Sequence, residues 1–309
     1  MRIGILGRTR DLISTANLLY KNGYEIPFIW TCKTEKYYKC SEYEFKKLAE
    51  KFGSVFINSS SIRKNFDLIK KLNVDVVLSI NFLNLIPNSF LNHFEFGVLN
   101  AHFGDLPKYR GNACPNWAIL NNEKQVFLTI YKMDEGLDSG PIYLKKKIKI
   151  NSQTYIKNIF DWGANEIPLM FLDTIEKIKK GIKPKRQSKN KILRCFPRKP
   201  EDSRINWNDD AETIHKLIRA SSEPYEGSYC FSENRKKIII WESSMIKMDY
   251  DFYAIPGQIL EKTKDSVKVA CGNKSVLLVT KMNLILNNKK INNIKSISML
   301  FKSLRSRLI

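Results

Sequence analysis

The chain of 309 residues is short of histidine, with three, and none of its six cysteines (Cys32, Cys40, Cys114, Cys195, Cys230, Cys271) falls in a Cys-x-x-Cys pair. Ligand spacing for zinc is therefore missing, and thiols scattered in this way read as reduced and mostly structural. No apolar run approaches the ~20 residues that cross a bilayer. Met1 leads straight into the strand-like Arg2-Ile3-Gly4-Ile5-Leu6 rather than into a signal peptide. A cytoplasmic protein with no metal and no membrane is the expectation. With 14 Gly and 11 Pro against 43% apolar residues, collagen-like, disulfide-scaffold and wholly disordered classes are excluded as well. Acids are the remaining shortage, since 31 Asp and Glu face 52 Lys and Arg for a net charge of +21. Such a surplus attracts phosphates. Nucleic acid, a nucleotide-bearing small molecule and a lysine-rich composition all produce it, so charge alone selects no function.

What is present is an alternation of short β-rich runs and amphipathic stretches. Strands are predicted at 2–6, 25–31, 54–57 and 74–80, and helices at 11–22, 42–52 and 62–73, with Gly23 and Gly53 closing the first two helices. Alternating elements of this kind make a parallel, doubly wound sheet. Further β-rich runs occur at 97–102, 125–133 and 141–150, the last two close enough to pair antiparallel at one edge, and a long helix is predicted over 153–176. Residues 177–199 carry eleven Lys or Arg, no acid and several Gly or Pro breaks, which reads as a linker. Beyond it come a helix at 209–220 and five short strands between 227 and 282, suggesting a small barrel or open sheet. The final stretch, 281–309, holds seven basic residues and no acid; it reads as a packing or solvated tail, with a phosphate-contacting role as the alternative.

The turn Gly4-Ile5-Leu6-Gly7-Arg8-Thr9-Arg10 lacks the third glycine and the spacing of a dinucleotide fingerprint. It is either an ordinary tight turn or a place where Arg8 and Arg10 hold a substrate phosphate at the carboxyl edge of the sheet. The densest polar constellation lies at 99–117. Asn100 and His102 are two apart at a strand end, so an amide and an imidazole emerge on one face. That edge is where open α/β sheets bind ligands. Downstream, Met133-Asp134-Glu135-Gly136-Leu137-Asp138-Ser139-Gly140-Pro141 is a glycine-bounded loop whose Asp138 could reach His102.

Asn100-x-His102, then Leu106-Pro107-x-Tyr109-Arg110-Gly111, then Gly136-Leu137-Asp138-Ser139-Gly140 resemble the signature of the N10-formyltetrahydrofolate-dependent formyltransferases. The resemblance covers roughly residues 1–180. It continues in Pro200-Glu201-Asp202-Ser203-Arg204-Ile205-Asn206-Trp207, Ile218-Arg219-Ala220 and Pro224-Tyr225-Glu226-Gly227, which are similar to the entry into the family's C-terminal domain. It implies an α/β fold: a Rossmann-like, doubly wound, mostly parallel sheet in a catalytic domain (1–180), a basic linker (181–200) and a smaller β-rich C-terminal domain (201–309). Two branches of the family compete. Gly7-Arg8-Thr9-Arg10 stands where methionyl-tRNA formyltransferases usually show Gly-Thr-Pro, and Asn116-Trp117 resembles the sugar-nucleotide N-formyltransferases. The expectation is therefore formyl transfer to a nucleotide-linked amino-deoxy sugar, with methionyl-tRNA as the alternative acceptor, no nucleic-acid partner, and a homodimer as the assembly to test.

The resemblance also implies roles. Asn100, His102 and Asp138 match the family's catalytic positions. A primary amine attacks the formyl carbon, so charge builds on the formyl oxygen, where the Asn100 amide can donate. Imidazole changes charge near neutral pH and is the natural acceptor for the amine proton, with Asp138 orienting it. In the alternative, protonated His102 shares the oxyanion and Asp138 or water takes the proton. The folate is expected against the backbone of the loop holding Phe82, Leu83 and Leu85, with Gly136 to Asp138 on its other side. Tyr109, Arg110, Asn112 and Trp117 are candidates for the acceptor pocket, and Arg8, Arg10, Arg198 and Lys199 for the pyrophosphate.

Overall fold

Strand and helix alternate through the first part of the chain as the apolar pattern requires. The computed structural model describes residues 1–303 and 305–309. In order come β1 (Ile3–Gly7), α1 (Arg10–Lys21), β2 (Phe28–Thr31), α2 (Glu42–Phe52), β3 (Val55–Asn58), α3 (Ile62–Lys70), β4 (Val76–Ile80), α4 (Asn88–Leu91), β5 (Val98–His102), β6 (Arg110–Gly111), α5 (Cys114–Leu120), β7 (Gln125–Lys132), β8 (Ile142–Lys149), α6 (Ile156–Lys179) and β9 (Arg194–Cys195). Then follow α7 (Ala211–Ser221), β10 (Ser228–Phe231), β11 (Lys237–Ile246), β12 (Ile259–Lys262), β13 (Val267–Ala270), β14 (Val276–Leu286), β15 (Lys289–Ile291) and α8 (Asn293–Leu300). No helix among the described residues is long and apolar enough to cross a membrane.

The chain divides into two compact units, one of residues 1–114, 125–149 and 160–196, the other of 115–124, 150–159 and 197–309. The first is a Rossmann-like sheet in the order β3-β2-β1-β4-β5-β7-β8. β1 to β5 run parallel, and β7 and β8 close one edge as an antiparallel pair. Strand order reverses between β1 and β4, so the carboxyl ends of the central strands border the crevice such sheets offer to ligands. Period-2 alternation divides the core: Ile3, Ile5, Leu78 and Leu99 pack in a cluster with Leu12, Phe45 and Phe171, whereas Leu6, Val77 and Val98 join Phe28, Trp30 and Phe90 in another. Local capping sets the helix ends. At α2 a Ser41–Glu44 capping box opens the helix and Gly53, in the left-handed region, closes it. The exposed edge strand β8 carries Lys145, Lys146, Lys147 and Lys149, charges that oppose edge-to-edge pairing.

One expectation changes here, and a second is met. The basic run read as a linker is ordered against the first unit: Lys185 bridges to Ile142, and β9 pairs in parallel with β6 through Arg110–Arg194 and Gly111–Cys195. The basic C-terminal stretch is a packing element. Asn292 caps α8 by accepting from Lys295 N, and Ile297, Phe301 and Leu308 are buried in the core of the second unit. Leu304 lies outside the described residues. The sheet of that unit runs β10-β11-β14-β13-β12, with β15 on β14, and all its pairs are antiparallel.

Asp11, in the first turn of α1, is mostly buried, and desolvation pushes its carboxyl up from 3.8 to about 6 against the opposing charge of Lys39. Folded protein thus keeps a proton that unfolded chain releases between these values, so this group removes stability as pH rises through that window. A two-unit shift corresponds to about 3 kcal/mol, an upper figure because a helix N-terminus favours the anion. Asp11→Asn is expected to raise the urea midpoint at pH 7 and to match wild type at pH 3.5. A variant less stable than wild type at pH 7 would show that the carboxylate makes a favourable contact there.

Candidate active site

β5 ends in Asn100 and His102, and its antiparallel register with β7 sets Tyr131 directly opposite Asn100. Cross-strand neighbours on one face are within side-chain reach. The Asn100 Nδ2 donates to Tyr131 Oη at 3.2 Å, and Tyr131 Oη donates to Asp138 Oδ1 at 2.6 Å. Asp138 Oδ2 accepts from the main-chain N–H of Gly111 at 2.7 Å. The carboxylate is thus fixed by two donors, one per oxygen, and by the loop that carries it. In that loop Asp134 Oδ1 accepts from Gly136 N and Ser139 Oγ. A side chain on Gly140 would place its Cβ 1.8 Å from Lys132 O, so only glycine fits there.

Asp138 does reach His102: its Oδ2 lies 3.7 Å from Nδ1, close enough for an ion pair but too long for a hydrogen bond. The hydrogen bond that orients the ring comes from elsewhere. His102 Nε2 lies 2.6 Å from the carbonyl oxygen of Tyr109. A carbonyl only accepts, so Nε2 donates to it, and in the neutral ring the lone pair lies on Nδ1, beside Asp138. Tyr109, Ala113 and Asp138 hold φ of 58°, 54° and 48°. Left-handed backbone at three non-glycine residues concentrates strain around this site, as functional loops often do.

Sequence reasoning missed four residues around the triad. Nothing in the sequence singles out Tyr131, and only the β5–β7 register brings it opposite Asn100. Gln187, in the basic run, donates Nε2 to the carbonyls of Asp138 and Gly140 at 2.8 and 2.7 Å and accepts from Arg110 Nη2 at 2.7 Å. Cys114 Sγ donates to Tyr109 O at 3.0 Å and lies 3.8 Å from His102 Nε2. A hydrogen bond with Cys195, together with burial, pushes the Cys114 thiol far up, so it stays protonated beside the imidazole.

The other candidates scatter. Arg8 is buried and donates to the carbonyls of Asn81 and Lys33 at 2.8 and 2.9 Å, with Glu35 at 3.5 Å. Arg10 donates twice to Lys39 O and pairs with Glu44. Both guanidinium groups bind neighbouring segments rather than presenting a free fork to phosphate, which corrects the expectation for this turn. Tyr109 contributes its carbonyl while its ring is buried; Arg110 serves the Asp138 loop through Gln187; Asn112 is exposed. Trp117, on α5, is half-buried in the second unit, where its neighbour Asn116 donates Nδ2 to Ala220 O at 2.7 Å. Arg198 belongs to the same unit, bound to Asp202 O and Ser221 Oγ, and burial lowers its pKa; Lys199 beside it is exposed. In the loop after β4 the Phe82 ring turns inward, edge-on to Trp30, whereas Leu83 is half exposed and Leu85 94% exposed. That loop offers a ligand apolar side chains and main chain at the crevice. Among the described residues no cluster of three or more His, Cys, Asp or Glu could hold a metal ion.

Comparison with known proteins adds the following. Residues 35–166 match the family model described as formyl transferase, and residues 198–299 match that of the formyl transferase C-terminal domain. The methionyl-tRNA formyltransferase of Rickettsia bellii is 31% identical over 237 residues, 77% of this chain and 74% of that protein. That of Caldanaerobacter subterraneus subsp. tengcongensis is 29% identical over 286 residues, covering 90% and 91%. The solved N-formyltransferase of Helicobacter canadensis, in complex with folinic acid and dTDP-3-aminofucose, has the same fold at 16% identity, with a TM-score of 0.69 over 90% of this chain and 98% of that one.

Proposed function

We propose, from the premise that the chain belongs to the formyl transferase family, that it moves the formyl group of N10-formyltetrahydrofolate onto the primary amine of a nucleotide-linked amino-deoxy sugar. A dTDP-4-amino-4,6-dideoxyhexose destined for O-antigen or another surface polysaccharide is the acceptor we favour. The observation that carries the chemistry is the assembly of an amide donor, an imidazole with a free Nδ1 and a doubly anchored carboxylate at one sheet edge. The amine nitrogen forms the new bond to the formyl carbon as the bond to folate N10 breaks. Asn100 donates to the formyl oxygen as charge gathers there, a contact whose removal from a preorganised site typically costs ~3–4 kcal/mol. His102 Nδ1 takes the amine proton, and Asp138, 3.7 Å away, stabilises the resulting imidazolium. The exposed Leu83 and Leu85 with the backbone of their loop, and Gly136 to Asp138 opposite, are the residues that would hold the folate.

The acceptor rests on finer marks. Asn116-Trp117 resembles the sugar branch, Gly7-Arg8-Thr9-Arg10 departs from the Gly-Thr-Pro of the tRNA branch, and the Helicobacter canadensis enzyme with its dTDP-sugar shares the fold. A second reading, methionyl-tRNA, is favoured by the names of the sequence relatives and by the net charge of +21. Salt separates the two. A tRNA acceptor contacts many phosphates, so its affinity falls steeply as salt rises. A sugar nucleotide has one pyrophosphate. Incubation with formylated folate and a panel of dTDP- and UDP-amino sugars, followed by mass spectrometry, is expected to show a formyl gain on a dTDP-linked 4-amino sugar and a shallow salt dependence of KM. Efficient formylation of methionyl-tRNA, with no turnover on any amino-sugar nucleotide, would reverse the assignment and leave the folate chemistry standing.

A further inference from the structure

We infer that Tyr131 is a positioning residue for the transfer: it fixes which way the Asn100 amide faces, so that an N–H of Nδ2 remains aimed at the formyl oxygen. This rests on the reading of Asn100 as the oxyanion donor given above. The argument is one of proton accounting. An ionised carboxylate can only accept, and a phenol has a single proton. At 2.6 Å that proton is given to Asp138 Oδ1, which leaves Tyr131 Oη only lone pairs with which to meet Asn100 at 3.2 Å. Were the amide turned over, its oxygen would face those lone pairs in a place closed to water, since Tyr131 is 1% exposed. Asn100 therefore presents its NH2 end, spends one hydrogen on Tyr131 and keeps the other. Burial and the charge of Asp138 push the phenol well above its ordinary range, so the proton stays on it at all working pH values. The choice of amide face is thereby transmitted from Asp138 on its loop, through β7, to β5.

Tyr131→Phe removes one oxygen and keeps the ring. Its kcat is expected to fall about 10- to 100-fold, the range for a misplaced group in a preorganised site, with KM for both substrates changed less than about threefold. Added to Asn100→Ala, the same substitution should cost clearly less than it does alone, because the amide it positions is already gone and the remaining cost comes only through Asp138, which loses one of its two donors. In protein labelled with 15N-asparagine, the Asn100 side-chain amide, assigned by its disappearance in Asn100→Ala, should exchange slowly in wild type and quickly in Tyr131→Phe. Wild-type kcat in Tyr131→Phe, or a full multiplicative loss in the double variant, overturns the inference. A fully active Asn100→Ala overturns the donor reading on which it rests, and is told apart because the amide still exchanges slowly in wild type. Should Tyr131→Phe not fold, exchange of both Asn100 amide protons in wild type at the rate of an exposed asparagine overturns it as well.

Discussion

His102→Asn is expected to lower kcat by about 10²- to 10⁴-fold, the range seen when a positioned general base is removed. The surrounding loop keeps an anchor in Cys114 Sγ, which donates to Tyr109 O at 3.0 Å, although asparagine ends level with Nδ1 and no longer reaches the carbonyl that His102 Nε2 meets at 2.6 Å. Nor can asparagine take the amine proton on the side that faces Asp138. The loss should fall on kcat, with the Kd for folinic acid measured by titration calorimetry within a few fold of wild type, because the group acts on the transition state. Turnover near wild type would remove His102 from the proton path. A loss confined to folate binding would make the imidazole a wall of the pocket instead.

Asp138→Ala should be as damaging, for two reasons that separate experimentally. The carboxylate lies 3.7 Å from His102 Nδ1, and without it the imidazolium formed during transfer has no counter-charge at that distance. It is also the acceptor for Gly111 N and Tyr131 Oη, so its removal leaves two donors unsatisfied, each at a typical cost of ~1–3 kcal/mol. We therefore expect a fall in kcat of about 10³-fold or more together with a lower thermal midpoint. Asp138→Asn tests the division. An amide oxygen can still accept one of the two bonds, so this variant should recover much of the stability and little of the turnover. If Asp138→Asn retains wild-type kcat, the charge is not required and Asp138 is a structural pin of its loop.

The candidate catalytic positions were legible in the sequence because the physics that places them is local. A two-residue spacing at a strand end puts Asn100 and His102 on one face, and glycine-bounded loops such as 136–140 are set by turn chemistry. The β7–β8 edge pair followed from adjacency in the same way. Arg8 and Arg10 misled for a related reason: their positions after β1 are correct, yet a guanidinium is satisfied by whichever carbonyls the fold brings near. Those of Lys33 and Lys39 come from the connection between β2 and α2, and that of Asn81 from the loop after β4. Tyr131, Gln187 and Cys195 carried no local mark at all. The first depends on antiparallel register with β5, the other two on a basic stretch that pairs with Arg110–Gly111 instead of running free as a linker.

By itself, then, the sequence determined the doubly wound sheet and the β-rich C-terminal region, and it marked the candidate site at the carboxyl edge with its amide, imidazole and carboxylate. Apolar periodicity and turn residues act over a few positions and can be read there. Only the tertiary structure decided how those groups are held: that His102 leans on Tyr109 O, that Asp138 is gripped by Gly111 N and Tyr131, and that the basic run closes the Asp138 loop through Gln187. None of these hydrogen bonds joins immediate neighbours: His102–Tyr109 and Tyr131–Asp138 are seven residues apart, Gly111–Asp138 27 and Asp138–Gln187 49. A hydrogen bond needs its partners within a few tenths of an ångström, and strand register, loop path and burial, which set that distance, are properties of the folded whole.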